Sequence, residues 1–184
     1  FAGFVFGFVN PKIYDANNTE LLQSNLLQNM QLYNYMLAGF VIIILLDLIV
    51  SWTIFLFFKE DNRKLAMLSF LLRIIYTIIF TISFTYLLNN SLLTVLNNDA
   101  ILKNYNKFYH LWSIALIVFG FHLLVVGILM KLHKRIHKII WILTIIASIS
   151  YVLIHFLKVA IPSLDDFTKT LEAILALPMT VGEM

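Results

Sequence analysis

The sequence predicts an all-α protein, a polytopic bundle of transmembrane helices. Of its 184 residues, 61% are hydrophobic and only 12% carry a charge. A water-soluble chain of this length could not cover so much apolar surface with so few charged side chains. The apolar residues also form long runs, and a helix needs roughly 20 of them to cross a hydrocarbon core of about 30 Å. A membrane location is therefore expected.

Composition and motifs narrow the classes of function. The chain has no cysteine, which excludes disulfides, thiolate metal sites and cysteine nucleophiles. The net charge is +3 and no basic run lies in a soluble domain, so nucleic acid is not an expected partner. No Gly-rich phosphate loop, HExxH or GxSxG motif is present, and we expect no metal and no cofactor. The expected partners are membrane lipids, together with other membrane-protein subunits if the chain belongs to a complex.

Hydropathy predicts six helices in a single transmembrane domain, residues 1–184. Their approximate ranges are 1–9, 36–58, 65–88, 109–130, 139–157 and 171–184. The outer two ranges are too short to span, so we expect the first and last helices to be truncated. Asn10 and Pro11 are expected to end the first helix, because proline cannot continue the hydrogen-bond ladder. In the long polar connections, leucine spacing such as that of Leu22 and Leu26 predicts short amphipathic surface helices.

Basic residues predict the orientation in the membrane. The short turns at 59–64 and 131–138 hold three and four lysine or arginine residues, whereas the longer connections hold only scattered lysines. Short loops rich in lysine and arginine face the cytoplasm. We therefore expect a multi-pass protein of the cell inner membrane, with both basic turns on the cytoplasmic side.

Four ionisable residues fall inside the predicted spans: Asp47, Arg73, His122 and Glu183. Counting about 1.5 Å per residue from the end of each helix places all four roughly 12–18 Å deep. A charge at that depth costs roughly 2.5 kcal/mol or more on insertion scales and usually faces the protein interior. Four such groups on four helices predict a polar pocket near the middle of the membrane.

Polar side chains recur on the helix faces around this layer. Arg73 and Tyr76 share a face of the third helix at i, i+3 spacing, and Ser148, Tyr151 and His155 form a stripe along the fifth. Polar stripes of this kind turn toward the interior of a helix bundle. The residues expected to bind a ligand are Asp47, Arg73, Tyr76, His122, Ser148, Tyr151, His155 and Glu183.

Some of these polar residues are also consistent with a role in helix packing alone. Asp47 and Arg73 lie on adjacent antiparallel helices and are expected to pair, and such a pair can specify helix packing without any chemistry. A lone histidine such as His122 is more often a packed, hydrogen-bonded residue than a ligand. Glu183 has no obvious cation at its depth, so we expect an uncharged carboxylic acid that faces the same interior space as His122.

Three functions are consistent with this pattern. The first is a small-ligand binding or transport-like module whose mid-membrane pocket is lined by the residues above. The second is an accessory or structural subunit of a membrane protein complex, in which the buried charges serve packing. The third is an intramembrane hydrolase that uses His122 and a carboxylate around a metal or water. The sequence leaves open whether the chain is an enzyme.

One stretch of the fourth helix carries a family resemblance. Residues 118–127 (VFGFHLLVVG) resemble the central signature of a bacterial membrane family, domain of unknown function 4386. The layout is also similar, with an acid at Asp47, an arginine at Arg73 and a late glutamate at Glu183. The resemblance implies a six-helix bacterial inner-membrane protein without an assigned activity. The chain departs from the family pattern at 131–138, where a Ser-Gly and a proline would be expected.

Overall fold

A computed structural model describes residues 5–14, 19–92, 97–133 and 135–183, without the side chains of residues 6, 7, 19, 165, 178 and 181–183. Every regular element in these residues is helical, which confirms that the protein is all-α. In chain order they are a π-helical turn (Val5–Val9), α1 (Asn10–Ile13), a 3-10 turn (Thr19–Leu21), α2 (Leu22–Gln28), α3 (Met30–Leu92), α4 (Asn98–Leu132), α5 (Lys138–Ala160), a second 3-10 turn (Pro162–Leu164) and α6 (Asp165–Glu183).

Three of these helices are long and apolar enough to cross a membrane, judged by length and composition: α3, α4 and α5. Many of their large aliphatic side chains are exposed, for example Ile49 at 61% and Ile149 at 58%. Exposing apolar area to water costs about 25 cal/mol per Å². A surface of this kind is therefore suited to lipid, as the composition predicted.

The 63-residue helix α3 is interrupted at Asn62, whose φ of −160° and ψ of 97° are not helical. We call residues 30–61 the N-terminal half of α3 and residues 63–92 its C-terminal half. The Asn62 side-chain oxygen accepts a hydrogen bond from the Leu65 amide at 3.1 Å, and this caps the second half. The predicted turn at 59–64 thus contains one non-helical residue, and its lysine, glutamate and arginine residues are good helix formers.

Other helix ends also differ from the sequence prediction. Helix α4 begins at Asn98 rather than near residue 109, because the Asn97 side chain accepts a 2.7 Å hydrogen bond from the Ala100 amide and caps it. Helix α6 begins at Asp165, within a stretch expected to be a loop. The π-helical turn ends at Val9, but helical backbone continues past Asn10 and Pro11 to Ile13. Pro11 lies in the first turn of α1, where no intrahelical donor is needed.

The chain divides into two compact units. The first comprises residues 1–45 and 81–111. Its interior includes the fully buried Tyr33, whose hydroxyl donates a 2.7 Å hydrogen bond to the Leu87 carbonyl. The short helix α2 buries Leu22 and Leu26 while Leu27 remains exposed.

The second unit comprises residues 46–80 and 112–184. Its helices α4 and α5 approach closely at Gly120 and Gly127, where a side chain would meet α5. An apolar core lies toward the 59–64 turn; its buried members are Phe55, Phe58, Ala66, Val125 and Leu129. After the second 3-10 turn, α6 packs back against α5. All of the ionisable residues singled out in the predicted spans belong to this unit.

Candidate functional site

An ion pair joins the two halves of α3 inside the second unit. The Arg73 Nη2 donates a hydrogen bond to Asp47 Oδ1, as the sequence predicted. Asp47 is 5% exposed, so the pair is withdrawn from the surrounding medium. Residues 26 positions apart can meet in this way only because the chain reverses at Asn62.

The pair is held through one contact only. An arginine and a carboxylate can form two parallel hydrogen bonds, which would use a second nitrogen and the second oxygen. Here Asp47 Oδ2 and Arg73 Nε are both buried and neither has a hydrogen-bond partner in the described structure. One unfilled acceptor and one unfilled donor therefore remain on the same ion pair.

Aromatic rings surround the guanidinium group. The Arg73 Cζ lies 4.8 Å from the ring centroid of Phe119 and 5.4 Å from that of Tyr76. At these distances the ring faces attract a cation, by about 2 kcal/mol or more where water is excluded. The Thr77 hydroxyl donates a 2.9 Å hydrogen bond to the Arg73 carbonyl. The two rings therefore flank the guanidinium, whereas the Thr77 bond is made to the backbone of the same helix.

His122 lies next to this cluster, at 1% exposure. Its Nδ1 is 3.0 Å from the Ser69 carbonyl oxygen and 3.1 Å from the Ser69 hydroxyl. A carbonyl oxygen only accepts, so Nδ1 carries the proton and, in the neutral ring, Nε2 keeps its lone pair. The Phe119 ring is 5.9 Å from the imidazole and connects it with the arginine. His122 can therefore accept a hydrogen bond through Nε2.

The polar stripe of α5 continues from the same phenylalanine. The rings of Phe119 and Tyr151 are 5.3 Å apart, and those of Tyr151 and His155 are 6.0 Å apart and stacked. His155 Nε2 lies 4.0 Å from a Glu172 oxygen that also accepts a 2.6 Å hydrogen bond from Lys158. His155 Nδ1 is buried without a partner in the described residues. Polar groups thus extend from the ion pair to the α5–α6 contact.

One predicted site residue stands apart from this cluster, and the side chain of another is not described. Ser148 is buried at the α4–α5 contact, where a Cβ added to Gly120 would lie 3.1 Å from the Ser148 carbonyl oxygen. It also lines an apolar groove with Phe121 and Val152. Glu183 belongs to α6, but its side chain lies outside the described ones, and so does its predicted approach to His122.

Two residues of the cluster were missed by sequence reasoning. Phe119 contacts the arginine, the histidine and the tyrosine, yet an apolar residue in an apolar span carries no distinguishing signal. Glu172 was overlooked because it was placed at the start of a truncated helix. Glu172 is negatively charged and Lys158 is positively charged, and the two residues flank the Pro162 turn. This complementarity could have indicated the contact. Among the described residues, no group of three or more His, Asp or Glu side chains is arranged to hold a metal ion.

Comparison with known proteins gives one match. No curated protein and no solved structure matches the chain. The family model described as "Domain of unknown function (DUF4386)" matches residues 1–184. The match covers the whole sequence and agrees with the resemblance seen in the fourth helix. The chain therefore belongs to the DUF4386 family.

Proposed function

We propose that this chain is a membrane module that binds a small polar ligand at the Asp47–Arg73 pair, and that ligand passage through the membrane would use this site. The observation that carries the proposal is the pair of buried, unfilled positions on Asp47 Oδ2 and Arg73 Nε. Leaving a buried polar group unpaired costs about 1–3 kcal/mol, and more for a charged one. A ligand that fills both positions would recover this free energy.

The chemistry of the unfilled positions defines the ligand class. Asp47 Oδ2 accepts a hydrogen bond and Arg73 Nε donates one, so the ligand must carry a donor beside an acceptor. A primary amide has both on one planar group, and the flanking Tyr76 and Phe119 rings are suited to a flat molecule. His122 Nε2 adds a further acceptor in the same cluster. The proposed ligands are therefore compact amides and related compounds.

Thermal unfolding of the purified protein in lipid nanodiscs tests this proposal. Acetamide, urea and glycine at millimolar concentration serve as probes, because each carries an N–H donor and an oxygen acceptor. We expect at least one probe to raise the Tm of the wild type, since a ligand that binds only the folded state stabilises it.

The double variant Asp47→Asn, Arg73→Gln should lose the shift. The Ser150→Ala variant should keep it, because that buried hydroxyl bonds only to its own helix at the Ile146 carbonyl. No shift with any probe, or an equal shift in the double variant, would argue against ligand binding at the pair.

An accessory or structural role is the second candidate. It is favoured by the fact that the Asp47–Arg73 pair joins the two halves of α3 and could serve packing alone. Purification with partner subunits at fixed stoichiometry would support it. The hydrolase alternative has less support, because no carboxylate contacts His122 among the described side chains.

We further propose that the six predicted spans orient the turns at 59–64 and 131–138 toward the cytoplasm of a bacterial cell. The support is the density of lysine and arginine in both turns. A cysteine at the exposed Glu60 should resist an impermeant thiol reagent added outside intact cells. A cysteine at the exposed Asp166 should react with it. The opposite labelling pattern would overturn this topology.

A further inference from the structure

We propose that a groove in the first unit binds the headgroup of an aminophospholipid, a membrane lipid that carries a phosphodiester and a primary ammonium. The groove lies between the C-terminal half of α3 and the start of α4, and its volume is about 580 Å³. Its polar lining residues are Tyr86, Asp99, Lys103, Asn106, Lys107 and His110. The site is separate from the ion-pair cluster and does not depend on the function proposed above.

Two lysines supply the positive charge that a phosphodiester requires. Lys103 and Lys107 are one helical turn apart on α4 and both are exposed. Neither forms an ion pair within the part of the chain that the structure describes. The Lys107 ammonium lies 5.0 Å from the Tyr86 ring centroid, which positions it at the groove. Both ammonium groups are therefore available to phosphate oxygens.

The depth of the lysines indicates a lipid rather than a free anion. Helix α4 has 35 residues. At about 1.5 Å per residue it is about 52 Å long, whereas the hydrocarbon core is about 30 Å thick. The apolar run from Tyr109 onward fits the core, so Lys107 and Lys103 lie about 3 and 9 Å beyond it along the axis. Both lysines thus lie just outside the hydrocarbon, where their long, flexible side chains can reach the lipid headgroups.

An acidic residue is placed to recognise the ammonium. Asp99 lies one turn farther from the hydrocarbon than Lys103, is exposed, and lines the same groove. In an aminophospholipid the phosphate is closer to the acyl chains than the ammonium. The complementary groups follow the same order along α4: the two lysines lie nearer the hydrocarbon, and the Asp99 carboxylate lies farther out. Leu102 and Leu111 line the groove as well and provide apolar contact for the lipid backbone.

Native mass spectrometry of the detergent-purified chain tests the proposal. The protein is titrated with phosphatidylethanolamine and with phosphatidylcholine of the same acyl chains. We expect phosphatidylethanolamine to bind more tightly, because its primary ammonium can donate hydrogen bonds to Asp99 whereas a trimethylated one cannot. Lys103→Gln and Lys107→Gln should each weaken its binding about fivefold. Asp99→Asn should abolish the preference for phosphatidylethanolamine and leave phosphatidylcholine binding unchanged.

Lys64→Gln is the matched control, since Lys64 is exposed but belongs to the second unit and is not among the residues that line this groove. It should bind phosphatidylethanolamine as the wild type does. All of these side chains are exposed, and circular dichroism will verify that the variants fold. The proposal is overturned if the Lys103→Gln, Lys107→Gln double variant keeps full binding, or if the wild type binds both lipids equally. It is also overturned if inorganic phosphate displaces the lipid with the same dependence on the lysines, because the groove would then be a free-phosphate site.

Discussion

Replacing Arg73 with leucine should lower the free energy of unfolding by about 3–5 kcal/mol, because it leaves the buried Asp47 carboxylate without its cation. Asp47→Asn should have a similar effect, since it leaves the guanidinium uncompensated. Asp47 is 5% exposed and the Arg73 side chain is 15% exposed, so neither charge can recover full solvation. Denaturant titration in mixed micelles, followed by tryptophan fluorescence, measures the change.

The double variant distinguishes a pair from two independent charges. Asp47→Asn combined with Arg73→Leu should be more stable than the sum of the two single losses implies, because no lone charge remains buried. Asp61→Asn is the control, since its contact with His133 is partly exposed and should be worth about 1 kcal/mol or less. Strictly additive losses at Asp47 and Arg73 would show that the two side chains do not depend on each other.

Gly120→Ala should destabilise the second unit by about 1–3 kcal/mol through overpacking. A Cβ at this position would lie 2.6 Å from a Val152 methyl group and 3.1 Å from two backbone atoms of α5, Ser148 O and Val152 N. A methyl group can rotate away, but the backbone of a packed helix cannot. The loss should exceed the gain of about 1 kcal/mol that alanine brings to a helix interior.

Gly127→Ala provides the comparison on the same helix. Its added Cβ would lie 2.7 Å from a side-chain carbon of Ile145, and the nearest backbone atoms are at 3.5 Å, an ordinary contact distance. Ile145 is β-branched and its χ1 is restricted in a helix, so relieving this contact has a cost, but no backbone atom has to move. The variant should therefore lose less stability than Gly120→Ala. If Gly127→Ala proved the more destabilising of the two, the assigned α4–α5 packing at Gly120 would be incorrect.

Helical periodicity predicted much of the second unit correctly. Polar residues that share a helix face in the sequence share a buried face in the structure. Tyr76 on the C-terminal half of α3 and Ser148 and His155 on α5 are buried, as their spacing predicted. The Asp47–Arg73 contact could be predicted because a buried charge requires a partner, and the depth of each residue follows from helix geometry.

Other features depend on tertiary contacts that periodicity does not encode. The Phe119 ring connects Arg73, His122 and Tyr151, but any large apolar residue in the span gives the same sequence signal. In the first unit, Asn104 donates a 2.7 Å hydrogen bond to Asn90. Sequence reasoning assigned both residues to a polar connection, because asparagine is more frequent in loops than in helix interiors.

The exact ends of the helices also could not be predicted from hydropathy. Asn62 alone interrupts α3, although the surrounding charged residues suggested a longer turn. Asn97 caps α4 six residues before Lys103, within a segment that hydropathy placed outside the span. Capping depends on one side chain and the backbone amides that follow it, so averaged hydropathy does not detect it.

The most direct test of the account is an experimental structure of the protein in lipid nanodiscs, solved in the presence of a probe that shifts its Tm. We predict non-protein density larger than one water molecule, within about 2.7–3.2 Å of both Asp47 Oδ2 and Arg73 Nε. The density should lie beside the Tyr76 and Phe119 rings. A single bridging water there, or an arginine turned to bond both carboxylate oxygens with no other density, would contradict ligand binding at this site.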